Sequence, residues 1–183
     1  MTEKEILVKK RNGRGSEPLN IDKIHEMVEY ACEDINGVSS SQVEMNSGLQ
    51  FYDGISTDEI QQILVRSASD LISLENPNYQ YVAARLLLYS LRKSVIGKLW
   101  DHPRFLDHTK KGVEIGVYEN SILEKYDVKD FDRMEGWLDH NRDYDFTYAG
   151  LRQVIDKYLV QDRSTSKVFE TPQFMYMLIS ATI

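Results

Sequence analysis

The 183-residue sequence predicts a mainly α-helical protein that opens on one β-hairpin. Apolar residues recur at three- and four-residue steps along most of the chain, the period of helices that bury one face. Only the opening residues break that rhythm, and there Asn12-Gly13, a pair that accepts positive φ at low steric cost, separates two short extended stretches. With 42% apolar and 28% charged residues, the composition is that of a globular protein rather than a disordered one.

The first strand is expected over Glu5 to Lys10, returning through Glu17 to Ile21. From Asp22, the positions Ile24, Met27, Val28, Ala31, Cys32 and Ile35 predict a helix ending near Asn36-Gly37. Ser40 to Gly48 reads as a shorter helix, and Phe51 to Gly54 as a loop. Ser56 and Glu59 stand at capping-box spacing, so a helix should open there and run to about Ser73, with Ile60, Ile63, Leu64, Ala68, Leu71 and Ile72 on one stripe. Pro77 suits the opening of the longest helix, Tyr79 to Leu99, whose apolar positions include Val82, Ala83, Leu86, Leu87, Val95 and Ile96.

Residues 1–98 then form one domain and 99–183 a second, with the boundary between Gly97 and Pro103. In the second part helices are expected at about 103–115, 119–125, 127–138 and 147–158, followed by a turn from Gln161 to Lys167. A last helix opens at Thr171-Pro172-Gln173. Apolar residues fill nearly every position from Phe174 to Ile179, and the roughly 80 residues before them can scarcely cover all sides of such a helix. The expectation is a chain that stops inside a larger domain.

Charge and residue usage exclude several function classes. With 22 basic and 29 acidic side chains the net charge is −7, so a broad nucleic-acid surface is not expected and any anion site must be local. A single cysteine, Cys32, excludes an internal disulfide, a Cys-x-x-Cys redox pair and a multi-cysteine zinc site, and suits a reducing cytoplasm. Its place on the apolar stripe of the first helix marks it as an inert core thiol. The four histidines show no metal-binding spacing, and no uncharged apolar run is long enough for a signal peptide or a membrane span.

A nucleoside triphosphate requires cations, open backbone N–H groups and a flat surface for its base. Lys9, Lys10 and Arg11 are the densest basic run in this acidic chain. Alternate strand residues face opposite ways, so Lys10 and Arg11 share a face only if the turn twists them. The helix opening at Thr57 offers N–H groups and a positive dipole end, and Lys93 is a cation on the longest helix. Each feature also has a plain structural explanation: lysines protect edge strands, and threonine is an ordinary helix cap. Asp139, His140 and Asp143 can be drawn as an acid–base group, but without a nucleophile or phosphate loop the Asp-His-Asn-Arg-Asp run reads as a solvated, salt-linked connector. Tyr148, Tyr158 and Phe169 read as core.

Ordered blocks add specificity. Val8-Lys9-Lys10-Arg11-Asn12-Gly13, Asn20-Ile21-Asp22-Lys23-Ile24 and Gln50-Phe51-Tyr52-Asp53-Gly54-Ile55-Ser56-Thr57, with Pro77 to Leu86 and Leu91-Arg92-Lys93, resemble the ATP-cone of class I ribonucleoside-diphosphate reductase large chains. Asp139 to Asp143, Phe146-Thr147-Tyr148, Lys157 to Gln161 and Glu170 to Phe174 resemble the helical start of that family's α/β catalytic barrel. The implied fold is an ATP-cone, a β-hairpin plus helical bundle, followed by the helical start of an incomplete α/β barrel domain.

The resemblance implies a regulatory site for ATP or dATP, with Mg2+, in an enzyme of DNA precursor synthesis. Matched positions assign Lys10 and Arg11 to phosphates, Glu17 and Asn20 to base or sugar, Lys23, Thr57 and Lys93 to the triphosphate, and Phe51 to the base. Gln61 stands where many dATP-inhibited members have histidine, and a neutral amide supplies no imidazolium charge, so dATP inhibition should weaken. The extra residue in Arg14-Gly15-Ser16 lengthens the turn. Family chemistry uses a thiyl radical, a reductant cysteine pair and a metal-containing small chain, so this chain alone should not turn over. Its implied partners are the remainder of the large chain, supplied by a second polypeptide as in some phage-encoded reductases, and through the complete enzyme the radical-generating small chain. No nucleic acid, no membrane and no cysteine-bound cofactor is implied. The alternatives are a non-catalytic remnant that binds no nucleotide and a cone-bearing repressor, whose zinc ribbon one cysteine cannot form.

Overall fold

The structure is a computed structural model and describes residues 6–10, 15–48 and 50–183. Arg11, the Asn12-Gly13 turn and Arg14 lie outside the described residues. The chain divides into two compact units, Met1–Ser90 with Phe146–Leu151, and Leu91–Asp145 with Arg152–Ile183. The chain is mainly α-helical, as expected.

In the first unit, β1 (Leu7–Lys9) pairs antiparallel with β2 (Ser16–Pro18), setting Leu7 opposite Pro18, Val8 opposite Glu17 and Lys9 opposite Ser16. Val8 is the strand residue that turns inward, with 6% exposure. Helix α1 (Ile21–Cys32) starts at Asn20, whose side chain accepts the Lys23 N–H at 3.0 Å, and it buries Ile24, Val28 and Ala31 one above another. It ends earlier than Asn36-Gly37, because Glu33 leaves the helical region with ψ of 133°, and Asp34 follows at φ of +58°, a left-handed conformation that a short polar side chain tolerates. Helix α2 (Ser40–Gly48) covers the expected span and buries Val43.

Helix α3 (Thr57–Asp70) opens with the expected capping box: Ser56 accepts the Glu59 N–H, and the Glu59 carboxylate accepts the Ser56 N–H at 2.8 Å. It stops three residues before Ser73, so Ile72 falls beyond the helix and is 39% exposed rather than part of the stripe. Helix α4 (Tyr79–Val95) ends before Leu99, and Gly97 follows at φ +82°, a conformation open to glycine without strain.

The second unit contains α5 (Phe105–Glu114), α6 (Ser121–Lys125), α7 (Val128–Glu135), a 3-10 helix over His140–Asp145, a minimal hairpin of β3 (Gln161–Asp162) and β4 (Lys167–Val168), and α9 (Pro172–Thr182). Helix α8 (Tyr148–Lys157) takes its first residues from the Phe146–Leu151 stretch. The core of the second unit gathers Phe105, Leu106, Phe131, Met134, Phe174 and Leu178. Helix α9 is covered more fully than the sequence suggested: Phe174, Met175, Leu178 and Ala181 are buried, whereas Tyr176, Ile179 and Ile183 stay exposed.

Two expectations are corrected here. The Asp139–Asp143 run is not a wholly solvated connector, since Asp143 is 1% exposed and faces the equally buried Arg92, with Arg92 Nη2 3.4 Å from Asp143 Oδ2. Gln173 donates to the other carboxylate oxygen at 3.0 Å, and Arg92 also donates to the His140 carbonyl and the Tyr144 hydroxyl. Tyr158 is not core either: it stands just past the end of α8 and is 58% exposed, while Tyr148 and Phe169 are half-buried. Among the described residues, no helix is long and apolar enough to cross a membrane.

Candidate functional site

The best-built polar site of the first unit lies where the hairpin meets the start of α3. Strand β1 bonds on both edges. One edge pairs with β2, and the Leu19 N–H reaches the Ile6 carbonyl at 2.8 Å. The other edge is stitched to residues 53–57, a segment nearly fifty positions away. There the Leu7 N–H donates to Asp53 Oδ1 at 3.0 Å, the Gly54 N–H to the Leu7 carbonyl at 2.8 Å, and the Lys9 N–H to the Ile55 carbonyl at 2.8 Å. The Thr57 hydroxyl completes the row by donating to the Lys9 carbonyl at 3.2 Å. Ile55, fully buried, anchors the segment from below.

This stitching fixes the cationic residue that follows the strand. Lys10 Nζ lies 2.6 Å from Glu17 Oε2, and both side chains are almost half exposed. The hydrogen bond from Lys10, with the charges of Lys10 and Lys23, holds the Glu17 carboxyl below its ordinary range. Asn20 and Lys23 stand at the start of α1, two and five residues beyond β2, joined by the Asn20 cap. Lys10, Glu17, Asn20, Lys23 and Thr57 are therefore linked through one hairpin and the openings of two helices. The arrangement offers two ammonium groups and an amide to an anion, whereas the Thr57 hydroxyl proton is already given to the Lys9 carbonyl.

The remaining candidates stand differently. Arg11 lies outside the described residues. Phe51 is half-buried in the loop before α3. Gln61 is 3% exposed, and its amide donates to the Leu86 carbonyl of α4 at 2.9 Å, so its side chain is part of the α3–α4 packing. Lys93 lies on the last turns of α4, within the second unit. Cys32 is half-buried, and burial pushes its thiol up to about 11, which leaves no thiolate at neutral pH.

Sequence reasoning missed two functional contributions. The α3 opening is largely occupied by its own chain: Ser56 takes the Glu59 N–H, Thr57 gives its hydroxyl proton to Lys9, and Asp58 and Glu59 bring negative charge to the first turn. The Ser56–Glu59 spacing announced the cap but not this electrostatic consequence. The clamp from Asp53 to the β1 backbone spans 46 residues and had no local signal.

Residues 6–94 match the sequence profile of the ATP cone domain. This stretch is an ATP-cone. Over 180 residues, 98% of its length, the whole chain is 44% identical to the ribonucleoside-diphosphate reductase subunit alpha of Haemophilus influenzae. Over 178 residues it is 45% identical to the ribonucleoside-diphosphate reductase 1 subunit alpha of Escherichia coli K12, and over 170 residues 38% identical to the subunit alpha of Enterobacteria phage T4. The similarity is to their amino-terminal region. The chain spans about a quarter of the length of these relatives, 22 to 24% in the three cases. The ATP-cone match includes the stitched hairpin, and the similarity to the reductase chains extends over most of the second unit as well.

Proposed function

We propose that the ATP-cone of this chain senses ATP and dATP on behalf of a ribonucleoside-diphosphate reductase, in the synthesis of DNA precursors. The observation that carries the reading is the two-edged clamping of β1, which links Lys10, Glu17, Asn20, Lys23 and Thr57 within the segment that matches the ATP-cone family. Lys10 exchanges its Glu17 partner for a phosphate oxygen, and Lys23 adds a second positive charge. Glu17, released from Lys10, and Asn20 accept or donate to sugar and base. Thr57 stays beside the triphosphate and holds the strand in place by donating to the Lys9 carbonyl. Arg11, Phe51, Gln61 and Lys93 complete the proposed set, Phe51 against the base and Lys93 on the triphosphate.

Mg2+ accompanies the triphosphate in this reading. Among the described residues, no group of three or more His, Cys, Asp or Glu side chains is arranged to hold a metal, so the phosphates themselves supply its ligands. Gln61 brings no positive charge, which favours ATP sensing with weak dATP inhibition. Nucleotide reduction belongs to the rest of the large chain, since the one cysteine, Cys32, is a half-buried thiol held protonated in a helix of the cone, and the partners are that remainder and, through it, the radical-generating small chain. Tyr176 and Ile179, exposed on α9, support an association with the remainder. The setting is the cytoplasm.

Calorimetric titration of the folded protein with ATP and dATP tests the sensor. Saturable binding is expected, with Lys10→Ala weakening it by about 1.5 to 3 kcal/mol, the scale of a charge-assisted phosphate bond. Absence of binding by both nucleotides would leave a non-binding remnant as the correct description. Co-expression with the downstream three-quarters of the large chain should yield a stable complex, and failure to associate would remove that partner.

A further inference from the structure

The second unit holds a cavity of about 490 Å3 that plays no part in the nucleotide site. We propose that it binds a small aromatic monophosphate, with the ring against its apolar wall and the phosphate between Lys111 and Lys167. The proposal is independent of the ATP-cone reading, because every lining residue belongs to the second unit.

Three separate segments build the cavity. Residues 94–103, from the last residues of α4 onward, the side of α5 with the turn after it, and the β3–β4 hairpin with Phe169 each contribute a wall, and each contributes one lysine: Lys98, Lys111 and Lys167. Lysines from three segments converging on one hollow are notable in a chain of net charge −7. Lys98 is already paired with Asp101. Among the described residues neither Lys111 nor Lys167 has a carboxylate partner, and the Lys167 ammonium stands 5.1 Å over the ring of Phe169. The apolar wall consists of Ile96, Ile115, Val117, Val168 and Phe169, with Ile115 51% exposed. The volume falls in the usual range for small-ligand sites, roughly 300 to 1,000 Å3.

Two imidazoles on the lining are held in place. His108 Nε2 lies 3.0 Å from the Tyr118 hydroxyl, which donates to Glu170 Oε2 at 2.9 Å, so His108 donates to the phenol oxygen. His102 stacks on His140 with ring centres 3.7 Å apart and planes within 3°. Burial and the nearby Lys111 charge hold His108 neutral down to about 4, which agrees with a positive field on this wall. Asp101 and Asp107 on the lining limit the negative charge that the cavity accepts, and they favour one phosphate over a triphosphate.

Phenyl phosphate is the probe, with inorganic phosphate and phenol as comparison arms, followed by amide chemical shifts of the labelled protein. Saturable shifts at Gly112, Val117, Val168 and Phe169 are expected, with both comparison arms binding at least about tenfold more weakly, since each supplies only half of the recognition. Lys111→Ala and Lys167→Ala should each weaken phenyl phosphate by about five- to tenfold, and Lys111→Arg should retain it. These are exposed positions whose replacement leaves the fold intact. Absence of saturation, shifts confined to Lys10 and Thr57, equal binding of inorganic phosphate, or unchanged affinity in both alanine variants would each overturn the proposal. A failure of ATP binding at the cone would leave all of these outcomes readable.

Discussion

Gly112 offers the sharpest test of packing in the second unit. It lies inside α5, and a Cβ built on it would come 2.0 Å from Cδ2, 2.2 Å from Cε2 and 3.0 Å from Cγ of Tyr118. Carbon atoms prefer about 3.5 to 4.0 Å, so Gly112→Ala forces the ring to move by more than an ångström. The ring is not free to do so cheaply. Its hydroxyl bridges His108 and the buried Glu170, and the Val117 and Tyr118 N–H groups both donate to the Gly112 carbonyl, at 2.9 and 3.2 Å. Glu170 keeps the Val160 N–H at 2.8 Å but loses its other donor. Overpacking costs about 1 to 3 kcal/mol and the half-satisfied buried carboxylate about 1 to 3 more, against a gain of about 1 kcal/mol in helix propensity. The expected net loss is about 1 to 5 kcal/mol, read by urea unfolding. In a Tyr118→Ala background the same change should be neutral or stabilising by up to about 1 kcal/mol, because the obstructing ring is gone. Equal effects in the two backgrounds would refute the steric account.

Other expectations follow from the buried polar groups. Arg92→Met strips Asp143 of its ion pair while leaving it 1% exposed, so unfolding measurements should show a loss of about 3 to 5 kcal/mol, partly recovered by adding Asp143→Asn. Burial holds His102 down to about 3 and His108 and His140 down to about 4, whereas the bond to Glu44 raises His25 above its ordinary value. Imidazole NMR titration should find the first three still neutral at pH 5 and His25 already charged at 6.5. By linkage, the folded state binds fewer protons at those three than the unfolded chain does, so their contribution to stability falls as pH drops from about 6.5 toward 4. The His25 contribution is full below about 6.5 and is lost as pH rises through its raised value. Gln61→Leu removes the amide bond to the Leu86 carbonyl at constant bulk and should cost about 1 kcal/mol of stability. If the same variant loses nucleotide affinity, Gln61 serves the ligand as well as the packing.

Helices were legible wherever one face repeats. The stripe Ile24, Val28 and Ala31 and the Ser56–Glu59 cap are local patterns, and the chain obeys both. Helix ends were less legible, since Glu33 and Gly97 stop their helices by backbone conformation rather than by a change in periodicity. Polar burial was least legible. Nothing in the spacing of Arg92 and Asp143 pairs them across 51 residues, and composition alone argues for solvent at both. Three of the four histidines gather around Phe174 for the same reason: an aromatic core accepts neutral imidazoles, and a sequence pattern that counts them as polar cannot foresee it.

The hairpin site shows how a local motif and its tertiary setting divide the work. From sequence, the start of α3 was attractive for an anion because of its dipole, a contribution of about 0.3 to 1 kcal/mol that falls off within one turn. In the fold that turn carries Asp58 and a Glu59 carboxyl held ionised by the Ser56 backbone and hydroxyl, so the helix already satisfies its own positive end. An anion bound there must therefore be held by the lysines beside the helix rather than by the helix itself. Of these, Lys10 directly follows the clamped strand, and its existing partner Glu17 is also an anion that a phosphate would replace. Thr57→Ser, which keeps a hydroxyl on the Lys9 carbonyl, should then preserve more affinity than Lys10→Ala, which removes the charge. The reverse order of losses would return the anion to the helix end.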